Sequence, residues 1–362
     1  MGARRDGHLA AAWRDRAAVI PGGSLTRSKK VFGVWAKTAE GCRIQAQDGR
    51  WYLDMLCGLG AISLGYRPHT LRRTQVYSVP STLEVEAAEA VAAHVAPWAD
   101  WVRFLKTGSE ATHAAYRIAK ATTGRSRVLR VAGGYHAWHE WPEQCEVLPH
   151  GYPPELEDDV AALIIEPQRF GGEDRAWLQA CADRCRRMGT LLIFDSMIYG
   201  GRYALGGASS YFDLRPDLEC FGKAFGNGAA VSFVVGTADT RAHGEIPSGT
   251  FSGETSGLEA VIEIIDTYRT HPIIPTLWAR AKQLHEGLRS LLPSSLGMHS
   301  GPMPCSTIRW ADNTINPGER LSQALLKRGV LWHPVTQFVM ADHAEDDIAE
   351  CLDAVREVLR TW

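Results

Sequence analysis

Short apolar runs alternate with amphipathic stretches along the first two thirds of the chain. This alternation is typical of βα units, which build a mainly parallel sheet covered by helices. Apolar runs of four or five residues predict strands, and apolar residues spaced three and four apart predict helices. The predicted strands are residues 102–105, 128–131, 161–165, 191–194 and 231–235, with helices over residues 109–121 and 176–187.

The pattern changes near residue 257, where long amphipathic helices begin to bracket short strands. The predicted helices cover residues 257–269, 277–292, 320–328 and 347–360, with a strand at residues 306–309. We interpret this as a smaller α+β domain at the carboxyl end. The expected division is an N-terminal segment at residues 1–50 that packs on the small domain, a large domain at 51–256 and the small domain at 257–362.

The composition is that of an ordinary globular protein. The 362 residues are 45% apolar and 22% charged, and the formal net charge of −2 gives no field that attracts nucleic acid or an anionic membrane. No apolar run approaches the ~20 residues that cross a bilayer, and the polar first residues do not predict a signal peptide. The eight cysteines are scattered without zinc-ligand spacing, so we expect a reducing, cytoplasmic location.

A glycine turn after the first of these predicted strands suits a phosphate group. Gly108 and Ser109 lie where a strand ends and a helix begins, so backbone N–H groups, the helix dipole and the serine hydroxyl can face an anion. The alternative is that Ser109 is simply the N-cap of the helix.

The next predicted strand, residues 128–131, is followed by the aromatic loop Gly133-Gly-Tyr-His-Ala-Trp-His-Glu-Trp141. The ring of Tyr135 is the candidate to stack on a planar heteroaromatic ligand. An aromatic cover over the core is the alternative. A zinc site is disfavoured because His136 and His139 lack the spacing of a helical zinc motif, and no metal is predicted.

Two further residues complete the pattern and indicate a particular cofactor. Asp195 ends an apolar strand at the edge where ligands gather in open α/β sheets, and Lys223 follows 28 positions later in a glycine-rich turn. A carboxylate that holds a pyridine nitrogen and a lysine that forms a Schiff base are what a pyridoxal 5′-phosphate enzyme requires. Taken singly, Asp195 could cap a helix and Lys223 could be a surface lysine, but the order of the motifs favours the cofactor.

These motifs resemble the class III pyridoxal phosphate-dependent aminotransferases of fold type I, in the branch of glutamate-1-semialdehyde aminomutase. Gly108-Ser-Glu-Ala111 is similar to the family's phosphate turn, Gly134-Tyr-His136 to its ring-stacking motif and Gly222-Lys223 to its Schiff-base site. The resemblance implies an α/β large domain with a mostly parallel seven-stranded sheet flanked by helices, and a smaller α+β domain. It also implies a homodimer. The implied cofactor contacts are Gly108, Ser109, Tyr135, Asp195, Met197, Lys223 and Thr250, with Thr250 reaching the partner's site.

The chain departs from the family beside the cofactor. The family has glutamate where this chain has Ser196 and phenylalanine where it has Gly201. These changes alter the expected substrate pocket and leave Arg202 as a candidate for an anionic substrate group. The candidate substrate contacts are Arg27, Lys29, His136, Glu166 and Arg202.

The predicted activity is transfer of an amino group from an amino donor to a carbonyl acceptor, in a ping-pong reaction through Lys223. The sequences of residues 135–141, 224–228 and 253–255 resemble those of aminotransferases that act on sugars and polysaccharide precursors. The alternatives are an aminomutase or epimerase and a non-catalytic cofactor-binding homologue. The aminomutase has a long gating loop where this chain has only residues 142–159, which favours transfer.

Overall fold

The computed structural model describes residues 33–66, 74–149, 151, 154–167, 175–300, 303–312, 314 and 316–362. Candidates Arg27 and Lys29 lie outside the described residues. The chain forms two compact units. The described part of the smaller is residues 33–59, 64–66 and 279–362, and the larger takes residues 60–63 and the described residues from 74 to 278.

The elements are numbered here in chain order. The strands are β1 (Ala36–Glu40), β2 (Arg43–Ala46), β3 (Trp51–Asp54), β4 (Trp101–Leu105), β5 (Arg127–Val131), β6 (Glu146–Leu148), β7 (Val160–Ile165), β8 (Leu191–Asp195), β9 (Leu218–Phe221), β10 (Ser232–Gly236), β11 (Gly297–His299), β12 (Cys305–Trp310), β13 (Val330–Leu331) and β14 (Thr336–Phe338). The α-helices are α1 (Thr82–His94), α2 (Gly108–Thr123), α3 (Arg175–Met188), α4 (Gly207–Phe212), α5 (Thr255–Thr270), α6 (Ile273–Leu291), α7 (Pro317–Lys327) and α8 (Glu345–Leu359).

The larger unit is built on a seven-stranded sheet in the order β4-β10-β9-β8-β7-β5-β6. The strands from β9 to β6 pair in parallel, and β10 pairs antiparallel with both of its neighbours. The mostly parallel α/β sheet predicted from the sequence is therefore confirmed. The short strands β6 and β9 and helix α1 were not predicted.

Helix α2 packs against the middle of this sheet through small side chains. Ala111, Ala115 and Ile118 are fully buried on its inner face, in one cluster with Ile193 of β8. Successive strand residues point to opposite faces, so Asp195 shares the α2 face with Ile193. This alternation brings a carboxylate to the carboxyl edge of the sheet beside the start of α2.

The smaller unit contains two sheets. Strands β1, β2 and β3 form a meander to which β13 adds in parallel, so the described N-terminal residues join the C-terminal part of the chain. Strands β11, β12 and β14 form the second sheet, and α7 and α8 pack against each other. Within the unit, the hydroxyl of Tyr66 donates to the buried carboxylate of Asp54 over 2.7 Å.

The chain passes from the larger unit to the smaller one within α6, between Trp278 and Ala279. Helix α5, which the sequence analysis assigned to the small domain, packs on α1 inside the larger unit. The change in pattern near residue 257 marks the end of the strands, and a sequence pattern does not reveal against which partner a helix packs.

Gly236 gives a stability prediction because the indole of Trp101 on the neighbouring strand lies over it. A Cβ at position 236 would be 2.4 Å from a carbon of that ring. The ring is held because its Nε1 donates to the carbonyl of Thr237 and to the hydroxyl of Thr240, each over 3.0 Å. We expect Gly236→Ala to lower the free energy of unfolding by about 1–3 kcal/mol, measured by urea denaturation. The same change in a Trp101→Leu background should cost less, and equal costs in both backgrounds would contradict this account.

Candidate active site

The phosphate turn predicted at Gly108 and Ser109 forms the first turn of α2. The N-cap is Thr107, whose hydroxyl accepts from the backbone N–H of Glu110 over 3.2 Å. The Glu110 carboxylate accepts in return from the N–H groups of Thr107 and Lys106, over 2.7 and 3.0 Å. The reading of Ser109 as the cap is therefore wrong. Capping by Thr107 leaves the N–H groups of Gly108 and Ser109 at the open end of the helix, where an anion binds favourably.

Met197 connects the phosphate turn with the turn that carries Lys223. A Cβ on Gly108 would be 2.9 Å from the Met197 sulfur, and a Cβ on Gly222 would be 3.0 Å from the same atom. A side chain at either position would therefore press on the same buried thioether, and the Met197 side chain would have to shift. Because Gly222 precedes Lys223, the contacts of Met197 bring the phosphate turn and the lysine turn together.

Asp195 is held by a buried histidine. Its Oδ2 lies 2.8 Å from Nδ1 of His136, and both side chains are almost fully buried. Its Oδ1 accepts from the backbone N–H of Met197 over 3.2 Å, and the hydroxyl of Thr112 donates to the carbonyl of His136. A carboxylate offers about four lone-pair positions, so Asp195 retains acceptor capacity for a ring N–H. His136 was predicted as a substrate contact, whereas the contact seen here is with Asp195.

Lys223 begins a one-turn 3-10 helix, Lys223–Phe225, between β9 and β10. Its φ of 47° lies in the left-handed region, which is costly for a residue with a Cβ and is often associated with functional sites. The turn is fixed because Gly226 N–H donates to the Lys223 carbonyl over 3.0 Å, and the neighbouring Ala224 is fully buried. The lysine itself is half-buried.

Tyr135 and Glu166 are joined at the carboxyl edge of the sheet. The backbone N–H of Tyr135 donates to Oε2 of Glu166 over 2.7 Å, while the Tyr135 ring is 56% exposed. Glu166 directly follows β7 and is buried. Its carboxylate therefore holds the aromatic loop that carries Tyr135, and its contact with substrate stays a prediction.

Arg202 is completely buried, and its guanidinium fixes a neighbouring loop. Its Nε donates to the Gly60 carbonyl over 3.0 Å and Nη2 to the Ile62 carbonyl over 2.6 Å. This placement favours a structural role over the predicted contact with an anionic substrate. Gly201 has a φ of 67°, and its Cβ would lie 3.0 Å from that of Ala224. A phenylalanine at position 201 would need room that Ala224 takes in this chain.

A residue that the sequence analysis missed, Glu219, lies beside Ser196. Its Oε1 accepts from the Ser196 hydroxyl over 2.5 Å and from the Ser209 N–H over 3.2 Å, and its side chain is fully buried. Burial raises the pKa of this carboxyl to about 7, although hydrogen bonds from Ser196 and Ser209 oppose the shift. The available signal was a glutamate within the otherwise apolar strand Leu218-Glu-Cys-Phe221.

Thr250 is exposed on the loop before α5 and lines a groove of about 730 Å³. The groove is also lined by Tyr77, Val79 and Phe104, and none of Gly108, Asp195 or Lys223 lines it.

The residues around Met197 fit pyridoxal 5′-phosphate. The open end of α2 suits the phosphate, and Asp195 and the Lys223 turn lie on either side of Met197, which approaches both glycines. The buried Nε2 of His136 has no hydrogen-bond partner among the described residues, while its Nδ1 faces Asp195 and its ring stacks on Trp141. Asp195 would accept from the pyridine nitrogen and Lys223 would reach the aldehyde carbon.

Neither a metal cluster nor a membrane-spanning helix accompanies this site in the described part of the chain. No group of three histidine, cysteine, aspartate or glutamate side chains there is arranged to hold a metal ion. Within the same residues, every helix is too short or too polar to cross a bilayer.

The fold and the site define a pyridoxal phosphate enzyme of fold type I. Residues 25–140 and 139–340 match the family described as Aminotransferase class-III, and the chain belongs to this family. It is therefore a class III aminotransferase that uses pyridoxal phosphate.

Three relatives show the range of the resemblance. The aminopentol aminotransferase of Sphingopyxis macrogoltabida is 31% identical over 94% of this chain and 91% of its own. The glutamate-1-semialdehyde 2,1-aminomutase of Methanothrix thermoacetophila is 26% identical over 94% of both chains. The solved structure of the FumI protein of Sphingopyxis sp. MTA144, in a pyridoxal phosphate internal aldimine form, is 28% identical, covers 97% of this chain and 96% of that chain, and has a TM-score of 0.88.

Glu219 predicts a pH dependence of stability. Its folded-state pKa is raised from 4.5 to about 7, so the native state binds more protons than the unfolded state between these values and stability falls as pH rises. The effect is on the order of 3 kcal/mol. We expect Glu219→Gln to flatten the decline between about pH 5 and pH 7 in urea unfolding. The exposed Glu286→Gln is the control, and a wild-type slope in Glu219→Gln would refute the assignment.

Proposed function

We propose that the enzyme moves an amino group from an amino donor to a carbonyl acceptor by a two-half, ping-pong reaction centred on Lys223. The observation that carries this proposal is the close approach of Gly108 and Gly222 to Met197, beside Asp195. Met197 therefore lies between the start of α2, the Asp195 carboxylate and the turn of Lys223. These are the three kinds of group that pyridoxal phosphate requires.

Each residue has a proposed role. Gly108 and Ser109 bind the phosphate at the start of α2, and Asp195 accepts from the pyridine nitrogen and keeps it protonated. His136 orients Asp195 through their 2.8 Å contact. When bound, the cofactor supplies an aldehyde that condenses with amines and a ring that withdraws electrons. The Lys223 amine would form the Schiff base that holds the cofactor and, once free, would hold and move the proton of the substrate carbon that bears the amino group.

The acceptor belongs, in our proposal, to sugars or related precursors that carry an aldehyde or ketone. The sequences of residues 135–141 and 253–255 support a sugar-like acceptor. Relatives named for aminopentol and 3-aminobutyryl-CoA extend the range of amines to be tested. The proposed cytoplasmic location is supported by eight cysteines that are buried and form no disulfide.

We also propose a homodimer in which Thr250 reaches the partner's phosphate site. The surface around Thr250 supports this assembly because several large apolar side chains are exposed there, including Tyr77 at 52%, Val79 at 69% and Phe251 at 61%. Strand β4, which forms one edge of the sheet, contributes Phe104 to the same groove.

Lys223→Ala should abolish covalent attachment of the cofactor. Borohydride reduction of wild-type enzyme should fix the cofactor on a peptide that contains Lys223, and mass spectrometry should find no such adduct in the variant. Turnover should fall by roughly 10²- to 10⁴-fold, because a positioned proton-transfer group is lost. Exposed Lys282→Ala is the control. Full covalent trapping of the cofactor in Lys223→Ala would show that Lys223 is not the Schiff-base lysine.

An aminomutase is the second candidate, since curated relatives carry that name. Incubation with single amino donors should convert the bound cofactor to its amine form and release a keto product, as a ping-pong reaction demands. The panel should include amino sugars, aminopentol and glutamate 1-semialdehyde. Isomerised product without net consumption of a donor would instead support the aminomutase.

A further inference from the structure

A largely buried ion pair joins the end of β4 to the start of α5. Lys106 Nζ lies 2.7 Å from Oε2 of Glu254, and the two side chains are only 16% and 8% exposed. Surface ion pairs contribute little to stability, but removing one partner of a buried pair leaves an unpaired charge and is costly. The pair is therefore a strong geometric restraint between the two segments that it connects.

Both ends of Lys106 are fixed. Its backbone N–H donates to the Glu110 carboxylate, which also completes the capping box of the phosphate turn. Its side chain runs over the first turn of α5, where a Cβ on Gly257 would be 2.8 Å from Nζ. A single residue thus ties the start of α2 to the start of α5.

Glu254 is fixed equally well. Its carboxylate caps α5 by accepting from the N–H groups of Ser256 and Gly257, over 2.7 and 3.3 Å. Burial by itself raises the pKa of this carboxyl, but the hydrogen bonds from Lys106 and Ser256 outweigh it, so the pKa lies below its usual value. The carboxylate is therefore charged in its pair with Lys106.

The loop that displays Thr250 ends at this pair. The Glu254 N–H donates to the carbonyl of Phe251 over 3.1 Å, and a Cβ on Gly253 would lie 2.8 Å from the Glu84 carboxylate of α1. Thr250 itself is exposed, so the direction in which it points is set by the base of its loop.

We propose that Lys106 and Glu254 are positioning residues that align this loop, so that a protomer's ion pair controls retention of pyridoxal phosphate in its partner's site. The inference rests on the proposed function, in which Thr250 completes that site. The pair contacts no reacting atom, so its loss weakens cofactor binding and leaves the chemistry of loaded enzyme nearly intact.

The first test compares Glu254→Gln and Lys106→Met with wild type. Absorbance titration of apoprotein should give a cofactor dissociation constant raised by about tenfold or more, with kcat at saturating cofactor within about threefold of wild type. Lys106→Arg, which keeps the charge, should restore most of the affinity. The exposed pair Lys282 and Glu286 supplies the controls Lys282→Met and Glu286→Gln, which should bind like wild type.

The melting temperature of each apoprotein separates positioning from simple stability. A lower melting temperature with an unchanged dissociation constant would overturn the proposal, as would a kcat that falls in parallel with affinity. If wild-type protein binds no pyridoxal phosphate, the proposed function itself fails. Wild-type binding together with wild-type affinity in both variants rejects only the role of the pair.

Mixed dimers test whether the effect crosses to the partner. In these dimers one protomer carries Lys223→Ala and is inactive, so all activity comes from the site of the other protomer. The cofactor concentration that gives half-maximal activity therefore measures cofactor binding at that site. Glu254→Gln on the silenced protomer should raise this concentration by about tenfold, the same loss as in the homodimer. On the active protomer it should leave the concentration unchanged. The reverse pattern would show that the pair acts through its own phosphate turn and would overturn the proposal.

Discussion

The contacts of the Met197 sulfur with Gly108 and Gly222 are the constraint on which the candidate site depends. Parallel strands bring their carboxyl ends to one edge of a sheet, but this alone places side chains only to within several ångströms. The Met197 thioether packs closely against two residues without side chains, one at the start of α2 and one before the lysine turn. Because Met197 N–H also donates to Asp195, the same residue joins Asp195, the start of α2 and the turn of Lys223.

The motifs with a local physical cause could be predicted from the sequence. The strand that ends at Asp195, the glycine turn at Gly108 and the turn at Lys223 follow from periodicity and from glycine chemistry. Even so, Thr107 rather than Ser109 caps α2. Several residues in the turn can act as caps, and the choice depends on where Glu110 places its carboxylate.

The features that escaped prediction depend on neighbours that are distant in sequence. The sequence predicts that Arg202 is a cation available to the substrate. In the structure its partners are backbone carbonyl groups 140 and 142 positions away in the chain. In the sequence, Glu219 is a single charged residue in an apolar strand. Only the pairing of β8 with β9 shows that its carboxyl accepts a hydrogen bond from Ser196. Burial of such groups requires hydrogen-bond partners, and a sequence pattern does not identify them.

The contact between Ser196 and Glu219 bears on one difference from the family, the serine at position 196. The family that this chain resembles has glutamate where this chain has Ser196, and here the Ser196 hydroxyl donates to the carboxyl of Glu219 on the next strand. The Ser196 hydroxyl also accepts from the N–H of Ala208, so the exchange anchors the start of α4 as well as β8. A buried carboxyl whose pKa lies near 7 differs from a solvated glutamate in one respect: its charge depends on the exact packing around it. Ser196 therefore joins the buried Glu219 carboxyl to the start of α4, a link that the sequence of β8 alone does not reveal.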